Sequence, residues 1–157
     1  MSNIDKNLKK VRIMADIQFG KGCGEVLFPD DVTFQLSRTK RVRQVQHNGK
    51  HIATVRARDG RLTLSVDGAV ALSGVLEKPA SRVVICEDAA PFVSKGKTAF
   101  AKHVMAVDPE LRAGDEVIIV DDSDAVLATG QLLLSPGEAV RMDRGPAVDV
   151  RRGIAQS

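Results

Sequence analysis

Phe92-Val93-Ser94-Lys95-Gly96-Lys97-Thr98-Ala99-Phe100-Ala101-Lys102-His103-Val104 is the stretch on which the reading of this chain turns, with Asp108-Pro109-Glu110-Leu111-Arg112-Ala113-Gly114-Asp115-Glu116-Val117 close behind it. An apolar segment runs into a glycine, and the spacing predicts a short lysine-bearing helix over Lys97–His103. A turn then delivers Gly114-Asp115 into the apolar strand Val117–Val120. Strands at Arg82–Cys86 and Val126–Leu134 flank this core. Ser135-Pro136-Gly137-Glu138 carries the cap, the early proline and the capping-box acid of a helix start. Gly145-Pro146 closes that helix, and Ala147–Arg151 reads as a last strand.

Upstream the punctuation changes. A helix is expected within Leu8–Phe19, then a glycine-loosened segment with a further helical turn through Gly20-Lys21-Gly22-Cys23-Gly24-Glu25. Pro29-Asp30-Asp31 marks a turn, and Val32–Gln35 a short strand. Asn48-Gly49 and Asp59-Gly60 are strong hairpin signals. If each closes a two-residue turn, Val42 faces Val55, Arg41 faces Arg56, Leu62 faces Ala57, Leu64 faces Val55 and Val66 faces Ala53. One face of this three-stranded meander is then apolar. The other gathers Arg41, Arg43 and Arg56 with Thr54, Thr63 and Ser65. Like charges opposite each other in a sheet cost about 0.2–1 kcal/mol per pair, so the cluster suits a visiting anion. A solvated face whose arginines pair with local acids is the alternative. Periodicity lapses at Glu77-Lys78-Pro79-Ala80-Ser81, which divides the chain into domains 1–78 and 79–157.

Composition agrees with two units of different character. The 157 residues carry a net charge of +3, yet residues 1–81 hold 14 Lys+Arg against 8 Asp+Glu and residues 82–157 hold 9 against 12. A basic first half attracts polyanions. No apolar run approaches membrane length and no apolar leader opens the sequence, so a cytoplasmic location is expected. Cys23 and Cys86 form neither CxxC nor a disulfide framework and read as free thiols.

Enzymatic and metal chemistry find little support. Gly96-Lys97-Thr98 mimics the end of a phosphate-binding loop, but Pro91 stands where that motif needs glycine. Gly20, Gly22 and Gly24 come too close together for a dinucleotide loop. His47, His51 and His103 share no ligand spacing with the cysteines. Asp121-Asp122-Ser123-Asp124 reads as a solvated turn. No cofactor, metal or catalytic residue is assigned.

The Phe92–Arg152 segment resembles the PUA domain, an RNA-binding module. Val11–Pro29, Ser37-Arg38-Thr39, the basic Arg41–Val45 strand and the Asp59-Gly60 hairpin are similar to the small domain that precedes PUA in archaeal archaeosine tRNA-guanine transglycosylases. The resemblance covers nearly the whole chain. It departs at position 17, where Ile replaces an expected aromatic. The family's catalytic barrel, with its aspartates and cysteine-rich zinc site, is absent. The fold implied is α+β: a small helix-plus-antiparallel-meander domain, then a PUA pseudobarrel of mixed strands with two short helices. The function implied is that of a non-catalytic, tRNA-binding subunit of a split transglycosylase. It would position tRNA for base exchange by a separate catalytic chain, with a homodimer left open. A free-standing PUA factor in ribosome assembly or translation is the alternative. The RNA edge implied comprises Lys95, Gly96, Lys97, Lys102, Arg144, Arg151 and Arg152, to which the meander adds Arg41, Arg43 and Arg56. Aromatic residues make up only 3% of the chain, with neither Trp nor Tyr, which argues against extensive stacking of bases on rings.

Overall fold

The computed structural model describes residues 2–156 and divides into two compact units, one reaching Val75 and the other starting at Leu76. In the first, α1 (Asn3–Phe19) starts at Ser2, whose hydroxyl accepts from the Asp5 amide, and buries Leu8, Val11 and Ala15. These positions recur at helical spacing and make one apolar stripe. The short α2 (Cys23–Leu27) follows. Gly24 lies against the α1 backbone so closely that a Cβ there would stand 2.3 Å from the Arg12 carbonyl oxygen. The glycine-rich run therefore serves helix packing. Asp16 accepts from the Gly24 amide at 2.7 Å, and Arg12 donates to the Phe28 carbonyl at 2.7 and 2.9 Å.

An antiparallel sheet in the order β1 (Thr33–Leu36), β2 (Val42–His47), β3 (Lys50–Val55), β4 (Leu62–Leu64) completes this unit together with α3 (Val66–Ser73). The Asn48-Gly49 hairpin pairs His47 with Lys50 as expected. Beyond it the register departs from the two-residue-turn reading. A bulge near Val45 and Gln46 sets Val45 against Ala53 and Gln44 against Thr54, and the pairing ends there. Arg41 and Arg56 are therefore not cross-strand partners. The second turn is wider: the Arg56 amide donates to Arg61, the Gly60 amide donates to Arg56, and Val55 pairs with Leu62, Ala53 with Leu64. The shift is by two residues, so the inward faces survive because strand side chains alternate with period two. Val42, Ala53, Val55, Leu62 and Leu64 are all buried, whereas Ala57 lies in the exposed turn. A second irregularity, which pairs Gln35 with Gln44 and Leu36 with Val42, turns Val42 and Val45 to the same side. Val66 does not extend the meander. Ser65 accepts from the Gly68 amide and caps α3 there.

The second unit holds a mixed six-stranded sheet in the order β6 (Ala99–Phe100), β10 (Pro146–Gly153), β9 (Val126–Leu132), β8 (Glu116–Val120), β5 (Arg82–Ile85), β7 (Val104–Val107). Among the described strands, only β5 and β8 pair in parallel. β8 is buried along its whole length, and with Val83, Ile85, Leu132, Ala147 and Val148 it forms the core. α4 (Ala90–Ser94) and α5 (Pro136–Arg141) are the two short helices, and α5 has the full Ser135–Glu138 capping box. It ends at Met142, three residues before Gly145. The α+β class holds. One element is displaced: Lys97–His103 is not a helix. The helix precedes the glycine as α4, and Ala99–Phe100 is a strand leading into a single 3-10 turn at Ala101–His103. Pro91 at the start of α4 suits a helical first turn, and the β6 backbone is claimed by pairing with β10.

Candidate nucleic-acid interface

In the first unit, Arg41 stands just before β2 and Arg56 just after β3, with Arg43 at the β2 irregularity. The strand ends and one flank of α1 enclose a groove of about 430 Å³ whose cations are Lys10, Arg41, Arg43, Arg56 and Arg58, over a floor that includes Val11, Val42 and Val55. The structure thus brings the three sequence-selected arginines together by a different route from cross-strand pairing. The same groove contains one acid, Asp59. It holds the Arg56 guanidinium at 2.8 and 3.2 Å and accepts from the Arg61 amide at 3.0 Å. That amide, and then the charge of Arg56, keep the Asp59 carboxyl below the usual carboxylate range.

In the second unit the sequence-selected residues fall into two groups. Lys97, Lys102 and Arg144 surround Phe100. One hollow of about 340 Å³ is lined by Phe92, Phe100, Lys97, His103 and Asp88 over Ala89 and Val93. A neighbouring one of about 260 Å³ is lined by Phe100, Lys102, Asp143, Arg144 and Gly145. Phe92 is 62% and Phe100 43% exposed. Sequence reasoning from overall aromatic content missed them. The available signal was local: two of the five phenylalanines bracket the Gly96 loop.

The second group lies at the far end of β10. Gly96 has φ +93°, which favours glycine, and a Cβ there would stand 2.5 Å from Gln156 Oε1. At Gly153 a Cβ would meet the Ser94 carbonyl oxygen at 2.1 Å and the Gly96 nitrogen at 2.7 Å. The close approach at this loop is thus made by the chain's own last strand. Gln156 accepts from the Gly153 amide, while its carbonyl receives the Arg152 guanidinium at 2.7 Å. Lys95 is exposed beside this loop. Arg151 forms an ion pair with buried Glu116, which gives it a structural task. Cys23 is buried, and burial followed by the nearby Asp16 raises its thiol pKa. Among the described residues, no group of His, Cys, Asp and Glu could hold a metal ion, and no helix is long and apolar enough to cross a membrane.

These two units have matching family models. Residues 9–79 match the patch-forming domain C2 of tRNA-guanine transglycosylase, and residues 81–154 match the PUA domain. The chain is therefore a PUA-domain protein of the kind that carries a transglycosylase C2 domain ahead of PUA. More particularly, it matches the C-terminal part of archaeal proteins named tRNA-guanine(15) transglycosylase. It is 47% identical to the Pyrococcus furiosus enzyme over 93% of this chain and 25% of that one, and 45% identical to the Methanothermobacter thermautotrophicus enzyme over 94% and 23%. The chain thus spans about a quarter of the length of the curated relatives it matches. Among solved structures it shares its fold with a hypothetical protein of Pyrococcus horikoshii (TM-score 0.74, 22% identity, 98% of this chain and 92% of that one). It shares the fold also with a conserved PUA domain protein of Thermoplasma acidophilum (TM-score 0.65, 19% identity, 97% and 91%).

Proposed function

We propose that this chain is the tRNA-binding, non-catalytic subunit of a split archaeosine tRNA-guanine transglycosylase, and that it positions tRNA for base exchange by a separate catalytic chain. The observation that carries the reading is the 47% identity over nearly the whole chain to a quarter of an enzyme named tRNA-guanine(15) transglycosylase. Both units offer surfaces suited to RNA. The groove of Lys10, Arg41, Arg43, Arg56 and Arg58 fits backbone phosphates, whose neutralisation dominates affinity and makes it salt-dependent. At the PUA edge, Lys97, Lys102 and Arg144 take phosphates while Phe92 and Phe100 offer ring faces to an unpaired base. Lys95 and Arg152 extend the charge past Gly96. Arg151 contributes through its hold on Glu116, which fixes the β10 end.

A second reading is a free-standing PUA factor in ribosome assembly or translation. It is favoured by the P. horikoshii and T. acidophilum proteins, which are chains of comparable length with the same fold. Affinity capture of the chain from its native cells separates the two. Recovery of a transglycosylase polypeptide together with tRNA supports the subunit. Recovery of ribosomal particles without it supports the free-standing factor.

A further inference from the structure

Helix α1 has a second face. While Leu8, Val11 and Ala15 point into the core, Lys6, Lys10, Ile13 and Ile17 follow one another at three- and four-residue steps along the opposite side, with Lys9 and Met14 beside them. Ile17 is 81% and Ile13 49% exposed, and Met14 lies half-buried between them. Single exposed hydrophobic residues are ordinary on a protein surface, but a contiguous apolar strip marks an interaction site. Two hollows meet at Met14. One of about 420 Å³ is lined by Lys6, Lys9, Lys10, Ile13 and Met14, and one of about 340 Å³ by Met14, Ile17, Gln18, Gly60 and Arg61.

We propose that this stripe docks the catalytic part of a transglycosylase, through an apolar ridge that covers Ile13, Met14 and Ile17 and carboxylates that meet Lys6 and Lys9. The inference rests on the subunit reading above and adds the surface through which it works. Three observations select this occupant. The relatives that match the chain carry about three-quarters of their length beyond the matched part, so in them these domains share a chain with a much larger body. The centre of the stripe is aliphatic, which suits protein packing and offers a phosphate nothing. The flank is uniformly basic, and Lys6, Lys9 and Lys10 form no ion pair among the described residues. A second copy placed on the stripe would set lysines against lysines, which disfavours a homodimer there.

The test mixes the full chain with the transglycosylase polypeptide of the same genome that lacks these two domains, and follows complex formation by analytical ultracentrifugation. The wild-type chain is expected to form a one-to-one complex. Ile17→Glu should weaken it at least tenfold and Ile13→Glu with Ile17→Glu should abolish it, with melting temperature and tRNA affinity of the isolated chain unchanged. Should the double variant fail to fold, Ile17→Gln replaces it, since that side chain is largely in water. A complex that survives the substitutions overturns the docking face and leaves the subunit reading standing. No complex with the wild-type chain overturns both. A parallel loss of tRNA affinity by the isolated variants makes the stripe an RNA surface, and a wild-type dimer split by Ile17→Glu makes it a self-contact; either result overturns the proposal.

Discussion

The arginine groove of the first unit and the lysine-phenylalanine edge of the second both gather cations, yet they hold them differently. In the groove, Arg56 is tied to Asp59 at 2.8 Å, and both side chains are at most one-third exposed. At the edge, Lys97 and Lys102 are exposed, with Asp88 lining the hollow around Lys97 and Asp143 the hollow around Lys102. The groove has an aliphatic floor, whereas the edge presents two exposed rings. A partly neutralised groove contributes charge that a ligand must first compete for. The edge contributes through two kinds of contact, cations and ring faces. On the reading proposed above, the groove supplies mainly charge, with Lys10, Arg41, Arg43 and Arg58 outside the Arg56–Asp59 pair, while the edge adds ring contacts to its lysines and is expected to carry the larger share of tRNA affinity.

The largest expected effect is at the edge. Lys97→Glu with Lys102→Glu should weaken tRNA binding by about 10- to 100-fold, or about 1.4–2.8 kcal/mol, and lower the salt slope by up to about 2. The melting curve should stay normal because both residues are exposed. Filter-binding titrations across a salt series check this, and unchanged affinity would break the assignment of the edge.

Phe100→Ala sharpens the comparison, since stacking of a base on a ring is worth about 1–3 kcal/mol and is uncharged. Affinity should fall by that amount while the salt slope stays put. A fall in slope instead would mean that the ring only supports the neighbouring lysines.

Gly96→Val measures how far the loop is built for the chain itself. Positive φ in a β-branched residue should cost about 1–3 kcal/mol of stability, with Gln156 displaced from the Gly153 amide. Thermal melts decide it. A fully stable variant would contradict the close packing of this loop on the last strand.

The groove should respond in the opposite direction. Asp59→Asn keeps an oxygen to accept the Arg61 amide but frees Arg56, so tRNA affinity should rise about two- to fivefold with a slope gain of up to about 0.9. Because the Arg61 amide and Arg56 lower the Asp59 pKa, the stabilisation from this pair is present above the ordinary Asp range. It is lost only as pH falls through the depressed folded value. Wild-type affinity should thus stay below that of the Asn variant across the neutral and mildly acidic range and converge with it only below the ordinary Asp range. Arg56→Thr should have the smallest effect, under about threefold, because that guanidinium is already partnered. A larger loss would show that RNA displaces Asp59.

Much of this was legible beforehand, for identifiable reasons. Asn48-Gly49 fixed its own turn, and Ser135–Glu138 its own cap, because both depend on neighbouring residues alone. The Asp59-Gly60 turn widened by two residues, which moves partners but not faces, so the inward-facing strand residues stayed readable. The failures lie where tertiary pairing decides. Ala99–Phe100 pairs with Pro146 and Val148 across the sheet, and nothing local in Lys97–His103 announces that strand. α3 was hidden because Leu62, Leu64 and Val66 keep period two into the helix start, and only the Ser65 cap marks the change. At the site, cation positions were readable as composition. Which of them are spoken for, as Arg151 is by Glu116 and Arg56 by Asp59, depends on acids brought from 35 residues away in the first case and across a turn in the second.

Guanine exchange into tRNA, followed as incorporation of radiolabelled guanine, is to be measured for this chain alone, for the transglycosylase polypeptide of the same genome alone, and for the two together. This chain alone should bind tRNA without exchange, the catalytic polypeptide alone should be weak, and the mixture should be restored chiefly through a lower KM for tRNA. Exchange by this chain alone, or a catalytic polypeptide whose rate and KM are unchanged by adding it, would overturn the subunit reading.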